Sequence, residues 1–296
     1  MGDEVKKYQL IIKIMKYLVL WDIHWQYEKL EKLITEYFIL SDKVIFLWDY
    51  IDKNKDSLKC LKYILNLKQE FPNKVEILWW NHDIFLINSL VYKDDKLFKV
   101  WFYINQAFSS TLFDYIPWND QVLLKNWYVE FIPEYFEKLS NDEGLFKLGK
   151  ELLDFGKLFY KDENALFVHG GIPLKVIRRD RYQIAPFYKN KSWLSWLEAL
   201  EEDYKNWDHY SIDFFSDTKN NDPTWYLWAS KYQQITKETF LDFISKLGIS
   251  SLFIWHQSKV NSPKFPKDNS LFCLNMWHID IGYFYWEING DYTLHN

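Results

Sequence analysis

Glycine is scarce in this chain, with nine in 296 residues, less than half of ordinary usage. Arginine is scarcer: only Arg178, Arg179 and Arg181 stand among the 36 basic residues. The two cysteines, Cys60 and Cys273, lie in apolar periodic segments without metal-type spacing, so a disulfide framework or a thiolate metal cluster is not expected. A net charge of -5 leaves no basic stripe to neutralise phosphates in number, which argues against a nucleic-acid polymer as partner. Long uncharged apolar runs are also missing. The stretch Tyr8 to Leu20 carries Lys13 and Lys16, lacks a small-residue cleavage site and runs into a polar motif, so it reads as a strand pair rather than a signal peptide or membrane span. The expectation is a cytoplasmic protein with no membrane partner.

Tryptophan is what the chain has in excess, with sixteen copies. Trp21 and Trp25 flank Asp22-Ile23-His24, Trp48 precedes Asp49, Trp80 precedes Asn81-His82, and Trp255 precedes His256. Each ends an apolar, β-branched run where the backbone has to swing off a strand, often through positive φ, which is ground for glycine and not for an indole. The glycine deficit and the tryptophan excess therefore look like one substitution. With Lys, Ile and Asn abundant, as from an A+T-rich coding sequence, the expectation is that UGA codons meaning glycine are written here as tryptophan.

At this length one α/β domain with a sizeable core is expected, spanning 1–296. Tyr17–Leu20, Val44–Leu47 and Val75–Leu78 are short apolar runs suited to buried strands. Between them, 26–37 and 56–70 repeat apolar residues at three and four, as crossover helices of a parallel sheet do. From about 89 to 162 the alternation stops, and aromatic and acidic helix-like stretches suggest a helical insertion or cap. Ala165–Val168 and Ser251–Ile254 return as strands. Leu271 to Leu294 alternates in strand fashion, with a hairpin turn at Asn289-Gly290.

Asp22, His24, Asp49, Asn81, His169 and His256 all fall at carboxyl ends of such strands, the edge where ligands collect in a mostly parallel sheet. Carboxylate, amide and imidazole together suit Mn²⁺, Fe²⁺ or Zn²⁺. Asp49, with two oxygens, is the natural bridge between two ions, which could polarise a phosphate and acidify a shared water. Taken singly, each of these residues has a plainer reading as a helix cap or satisfied polar strand end. Taken together, with four of the seven histidines in motif positions, they favour a metal site.

In order, Trp21-Asp22-Ile23-His24-Trp25-Gln26, Trp48-Asp49-Tyr50-Ile51-Asp52-Lys53-Asn54, Trp80-Asn81-His82-Asp83, His169-Gly170-Gly171 and Trp255-His256-Gln257 resemble the motifs of the calcineurin-like metallophosphoesterases. The likeness is to the phosphoprotein phosphatase branch, with its Ser/Thr phosphatases and symmetrical diadenosine tetraphosphate hydrolases. The resemblance implies an αββα sandwich of two mixed sheets with flanking helices. It also implies two divalent ions, manganese first, with iron or zinc as alternatives. Asp22 and His24 would bind one ion with Asp49, and Asn81, His169 and His256 the other, again with Asp49. His82 would be the general acid, Asp52 the residue that orients it, and Lys53 and Asn81 contacts of the substrate phosphate. A metal-activated hydroxide would then attack phosphorus directly.

Lys53, Asn54 and Ser230 depart from the family pattern. Lys53 and Asn54 stand where arginine and glycine are usual, and lysine keeps the charge but loses the planar fork. Ser230, in Leu227-Trp228-Ala229-Ser230, stands where a second phosphate-binding arginine could be expected, and Trp228 there reads as a true tryptophan. Arg178, Arg179 and Arg181 could supply replacement charge, although an exposed basic cluster is commonly just solvated. His209, His278 and His295 belong to no motif and read as structural or surface residues, and Asp280 as a strand end. Three functions remain: a phosphomonoesterase acting on phosphoserine or phosphothreonine, a hydrolase of dinucleoside polyphosphates or small phosphoesters with Trp101 to Trp118 stacking a base, and a non-catalytic binding module if the motif tryptophans are genuine.

Overall fold

The computed structural model describes residues 15–21, 23, 26–47, 50–52, 56–79, 81–96, 98, 134, 136–163, 165–168, 193–206, 245, 248–249, 251–255, 271–274, 282–287 and 292–295. In chain order the strands and helices are β1 (Lys16–Trp21), α1 (Tyr27–Tyr37), β2 (Lys43–Phe46), α2 (Ser57–Glu70), β3 (Val75–Leu78), α3 (Asn81–Leu90), α4 (Glu143–Phe155), β4 (Gly156–Lys157), β5 (Phe159–Lys161), β6 (Ala165–Val168), α5 (Trp193–Lys205), β7 (Ser251–Trp255), β8 (Leu271–Leu274), β9 (Gly282–Glu287) and β10 (Tyr292–His295).

The strands form two mixed sheets. The larger has the order β10-β9-β1-β2-β3-β4, and the smaller β5-β6-β7-β8. β1 to β4 run parallel, β9 joins β1 antiparallel and β10 pairs back on β9. In the smaller sheet β6, β7 and β8 are parallel and β5 is antiparallel to β6. The expected hairpin at Asn289-Gly290 lies outside the described residues, between two strands that do pair antiparallel.

Strand geometry explains why β1 to β3 read as continuous apolar runs. Successive side chains point to opposite faces, and here both faces are covered. Leu18, Leu20, Val44, Phe46, Val75 and Ile77 pack with the buried faces of α1, α2, α3 and α4 in the main core. Tyr17, Val19, Trp21, Ile45, Leu47 and Leu78 turn the other way and meet Ala165 and Phe167 of the smaller sheet. Helices, large sheet and small sheet are thus three successive layers, and this mixed α/β sandwich is the expected fold class.

The stretch 89–162 is only partly helical. α4 starts at a true cap, Asp142 Oδ1 accepting from the Leu145 amide at 2.8 Å, and buries Leu145, Leu148, Leu152 and Leu153 in the main core. Residues 156–161 run through the sheets as β4 and β5, with only Leu158 between the two strands. Residues 99–133 of that stretch lie outside the described residues, as do residues 1–14, which hold the first half of the expected strand pair.

Candidate active site

β1 ends at Trp21, one residue before Asp22; β2 ends at Phe46, three before Asp49; β3 ends at Leu78, and α3 opens on Asn81. These strands are parallel neighbours, so the chain leaves one edge of the larger sheet ahead of all three residues. In the smaller sheet β6 ends directly before His169 and β7 directly before His256, again from parallel neighbours. Asp22, His24, Asp49, Lys53, His169, His256, Ser230 and the three arginines lie outside the described residues. Among the described residues no group of three or more metal-type side chains gathers.

Asp52 and His82 are placed, and they meet. His82, second residue of α3, directs Nδ1 at Asp52 Oδ2 in a short hydrogen bond. Asp52 is wholly buried and His82 is 7% exposed. With the carboxylate as acceptor, Nδ1 carries the proton and the tautomer is fixed, which leaves Nε2 as the nitrogen that can exchange a proton elsewhere. Phe85, on the same face of α3, packs against the imidazole with ring centroids 5.9 Å apart. Hydrogen bonds fasten the loop that carries Asp52. The buried Tyr50 hydroxyl donates to the Leu78 carbonyl at 3.2 Å, tying the loop to the end of β3. The Ser57 hydroxyl donates to the Asp52 carbonyl at 2.7 Å. Neither residue is singled out by the motifs, and Ser57 is traceable in the sequence only as a serine at a helix start five residues after Asp52.

The tryptophans divide. Trp21 is fully buried and sits opposite Gly282 in the β1–β9 register. It lies in extended strand, and among the described non-glycine residues only Asp52 and Lys93 have positive φ. Positive φ is therefore not what would call for glycine at Trp21, contrary to expectation, and the same holds for Trp255, the last residue of β7. Trp79, next to the motif residue Trp80, has a niche of its own. Its Nε1 donates to the Leu152 carbonyl at 2.9 Å and its ring meets Tyr204 edge-on at 5.6 Å.

No family model matches the chain. Curated relatives do: the symmetrical bis(5'-nucleosyl)-tetraphosphatase of Buchnera aphidicola subsp. Acyrthosiphon pisum, from strains 5A and APS, is 35% identical over 109 residues in each case. The match covers 36% of this chain and 34% of the relative, so the chain spans about a third of the length of these relatives. Among solved structures, the cold-active protein-tyrosine phosphatase of a psychrophilic Shewanella superposes with a TM-score of 0.54 at 14% identity, covering 95% of this chain and 80% of that one. A second structure of a cold-active protein tyrosine phosphatase gives 0.53 at 14% identity, covering 95% and 79%. The chain thus shares the fold of these two phosphatase structures.

Proposed function

We propose that the chain is a metal-dependent phosphoesterase that hydrolyses phosphomonoesters. The observation that carries this is the buried Asp52–His82 pair, set on the loop after β2 and the first turn of α3 and directly beside Asn81. A histidine locked in one tautomer by a buried carboxylate, at the carboxyl edge of a parallel sheet, is the arrangement a general acid needs to protonate a departing oxygen.

The donors Asp22, His24, Asp49, Asn81, His169 and His256 fit two divalent ions by their chemistry, hard oxygens with borderline imidazoles. They also follow strand ends in both sheets. Such ions supply an acidified water and charge neutralisation at phosphorus. The chain's own residues do the rest: His82 protonates the leaving oxygen, Asp52 holds its ring, and Lys53 and Asn81 contact the phosphate. The preferred substrate is a phosphoserine or phosphothreonine side chain, from the Asp-Ile-His-x-Gln opening and His-Gln ending.

A second reading, hydrolysis of dinucleoside polyphosphates, is favoured by the 109-residue match to the tetraphosphatases. Assay of the Mn²⁺-loaded chain on p-nitrophenyl phosphate, a phosphopeptide and diadenosine tetraphosphate separates the two. Turnover of the phosphopeptide is expected to exceed that of the dinucleotide. The reverse order selects the second reading, and no turnover of any of them, with under one ion bound per chain, leaves the binding-module reading.

A further inference from the structure

Asp52 is an unusual place for an aspartate. Its φ of +67° puts a non-glycine residue in the left-handed region, at a cost on the order of 1 kcal/mol. Its side chain is nevertheless wholly buried and aimed at His82. A conformation of that kind persists only where the surroundings hold it, and the surroundings include one conspicuous tie. Ser57 opens α2, is 0% exposed, and donates its hydroxyl back across five residues to the Asp52 carbonyl at 2.7 Å.

A serine at a helix start usually accepts a hydrogen bond from an amide in the first turn. Ser57 stands one residue inside the N-cap and donates its hydroxyl to the Asp52 carbonyl, while the N-cap residue Asp56 makes no side-chain cap bond. The start of α2 is therefore used to fix the peptide that follows Asp52. Because that peptide sets the Asp52 backbone, it also sets where Oδ2 points. The Cys60 amide donates to the Asp56 carbonyl at 2.9 Å, the first main-chain bond of α2, so the tie ends on a regular helix.

From this geometry we infer that Ser57 is a positioning residue for leaving-group protonation: its hydroxyl holds Asp52 in the left-handed conformation that aims the carboxylate at His82. The inference rests on the phosphoesterase reading for its kinetic consequence but not for its structural one. A misplacement of about 1 Å in a catalytic array costs roughly 10²-fold in rate, and protonation matters most when the departing oxygen is a poor leaving group.

The test compares the parent chain with Ser57→Ala, Ser57→Thr and the control Asp56→Ala on two substrates, p-nitrophenyl phosphate and an alkyl phosphate. Ser57→Ala should lower kcat at least tenfold on the alkyl ester and less than threefold on the nitrophenyl ester, with KM unchanged on both. Ser57→Thr should restore most of the loss, and Asp56→Ala should match the parent. Equal losses on both esters would mean a merely structural role and overturn the inference. In parallel, the amide–Hα coupling of Asp52 by NMR should move out of the left-handed range in Ser57→Ala and stay in it in Ser57→Thr. If the parent hydrolyses nothing, the function reading fails while this coupling still decides whether Ser57 holds Asp52; an unchanged coupling in Ser57→Ala overturns the inference. Should Ser57→Ala not fold, the Ser57→Thr and Ser57→Cys pair carries the same comparison, and a cysteine variant indistinguishable from the parent on the alkyl ester overturns it.

Discussion

Gly156 lies so close to the indole of Trp79 that a Cβ on it would fall 1.8 Å from Nε1. Backbone and ring were fitted to each other: the glycine opens β4, and the ring it admits donates to Leu152 of α4. Gly156→Ala should therefore overpack the junction of α4 and the larger sheet, at a cost of about 1–3 kcal/mol, read as a lower midpoint in urea unfolding. The double variant Gly156→Ala with Trp79→Leu should recover part of that loss, because the smaller side chain vacates the space.

The same niche separates Trp79 from its neighbour Trp80. Mass spectrometry of the natural protein should find tryptophan at 79, where the ring has a hydrogen-bond acceptor in Leu152 and an edge-on neighbour in Tyr204, and glycine at 21, 48 and 80. Tryptophan at 21, 48 and 80 would end the recoding idea and favour a chain that keeps the sandwich without the chemistry.

Glu76 is the acidic residue in the otherwise apolar run of β3, 4% exposed, with Lys157, Lys68 and Lys43 at 3.0, 3.2 and 3.4 Å. Burial pushes its carboxyl up, but the charges and hydrogen bonds of Lys157 and Lys68 outweigh burial and hold it below the usual 4.5. Burial lowers Lys68 more than Glu76 raises it, so the cluster is held from the carboxylate side. A depressed folded-state value means that the unfolded chain takes up the proton first as pH falls. The contribution is complete above the ordinary carboxylate range and is lost as pH drops through the folded value. Glu76→Gln should cost about 2 kcal/mol at neutral pH, below the figure for a fully buried pair because Lys157 is partly in water. Thermal unfolding from pH 7 to 3 should show a steeper acid loss in the parent than in the variant.

His82→Asn should lower kcat by about 10²–10⁴-fold while Mn²⁺ binding, read by calorimetry, stays within a few-fold of the parent. Asp52→Asn should produce a smaller loss, because the amide oxygen can still accept from Nδ1 but without the charge. Loss of metal together with activity in His82→Asn would place this histidine among the ligands instead.

Much of the fold was legible where one physical signal acted alone. β1, β2 and β3 begin and end within a residue or two of their apolar runs, and α1 and α2 follow their three-and-four spacing. The signal fades where elements are too short to show a period: β4 has two residues and β5 three, so the crossing between the sheets was absorbed into a helical insertion. Of the site, Asp52 and His82 were legible from their motifs and do meet. Ser57 and Tyr50 were not, since each acts through a main-chain carbonyl, and a sequence does not show which carbonyl a hydroxyl will find.

Leu158 is the single residue between β4 in one sheet and β5 in the other, and its amide donates to Glu201 of α5 at 2.9 Å. So short a link leaves no slack for one layer to peel from its neighbour while keeping its own ladder. Amides of β3 and β6 should consequently exchange with deuterium as one cooperative unit. The two halves of the proposed ligand set, hung from different layers, would then be gained or lost together.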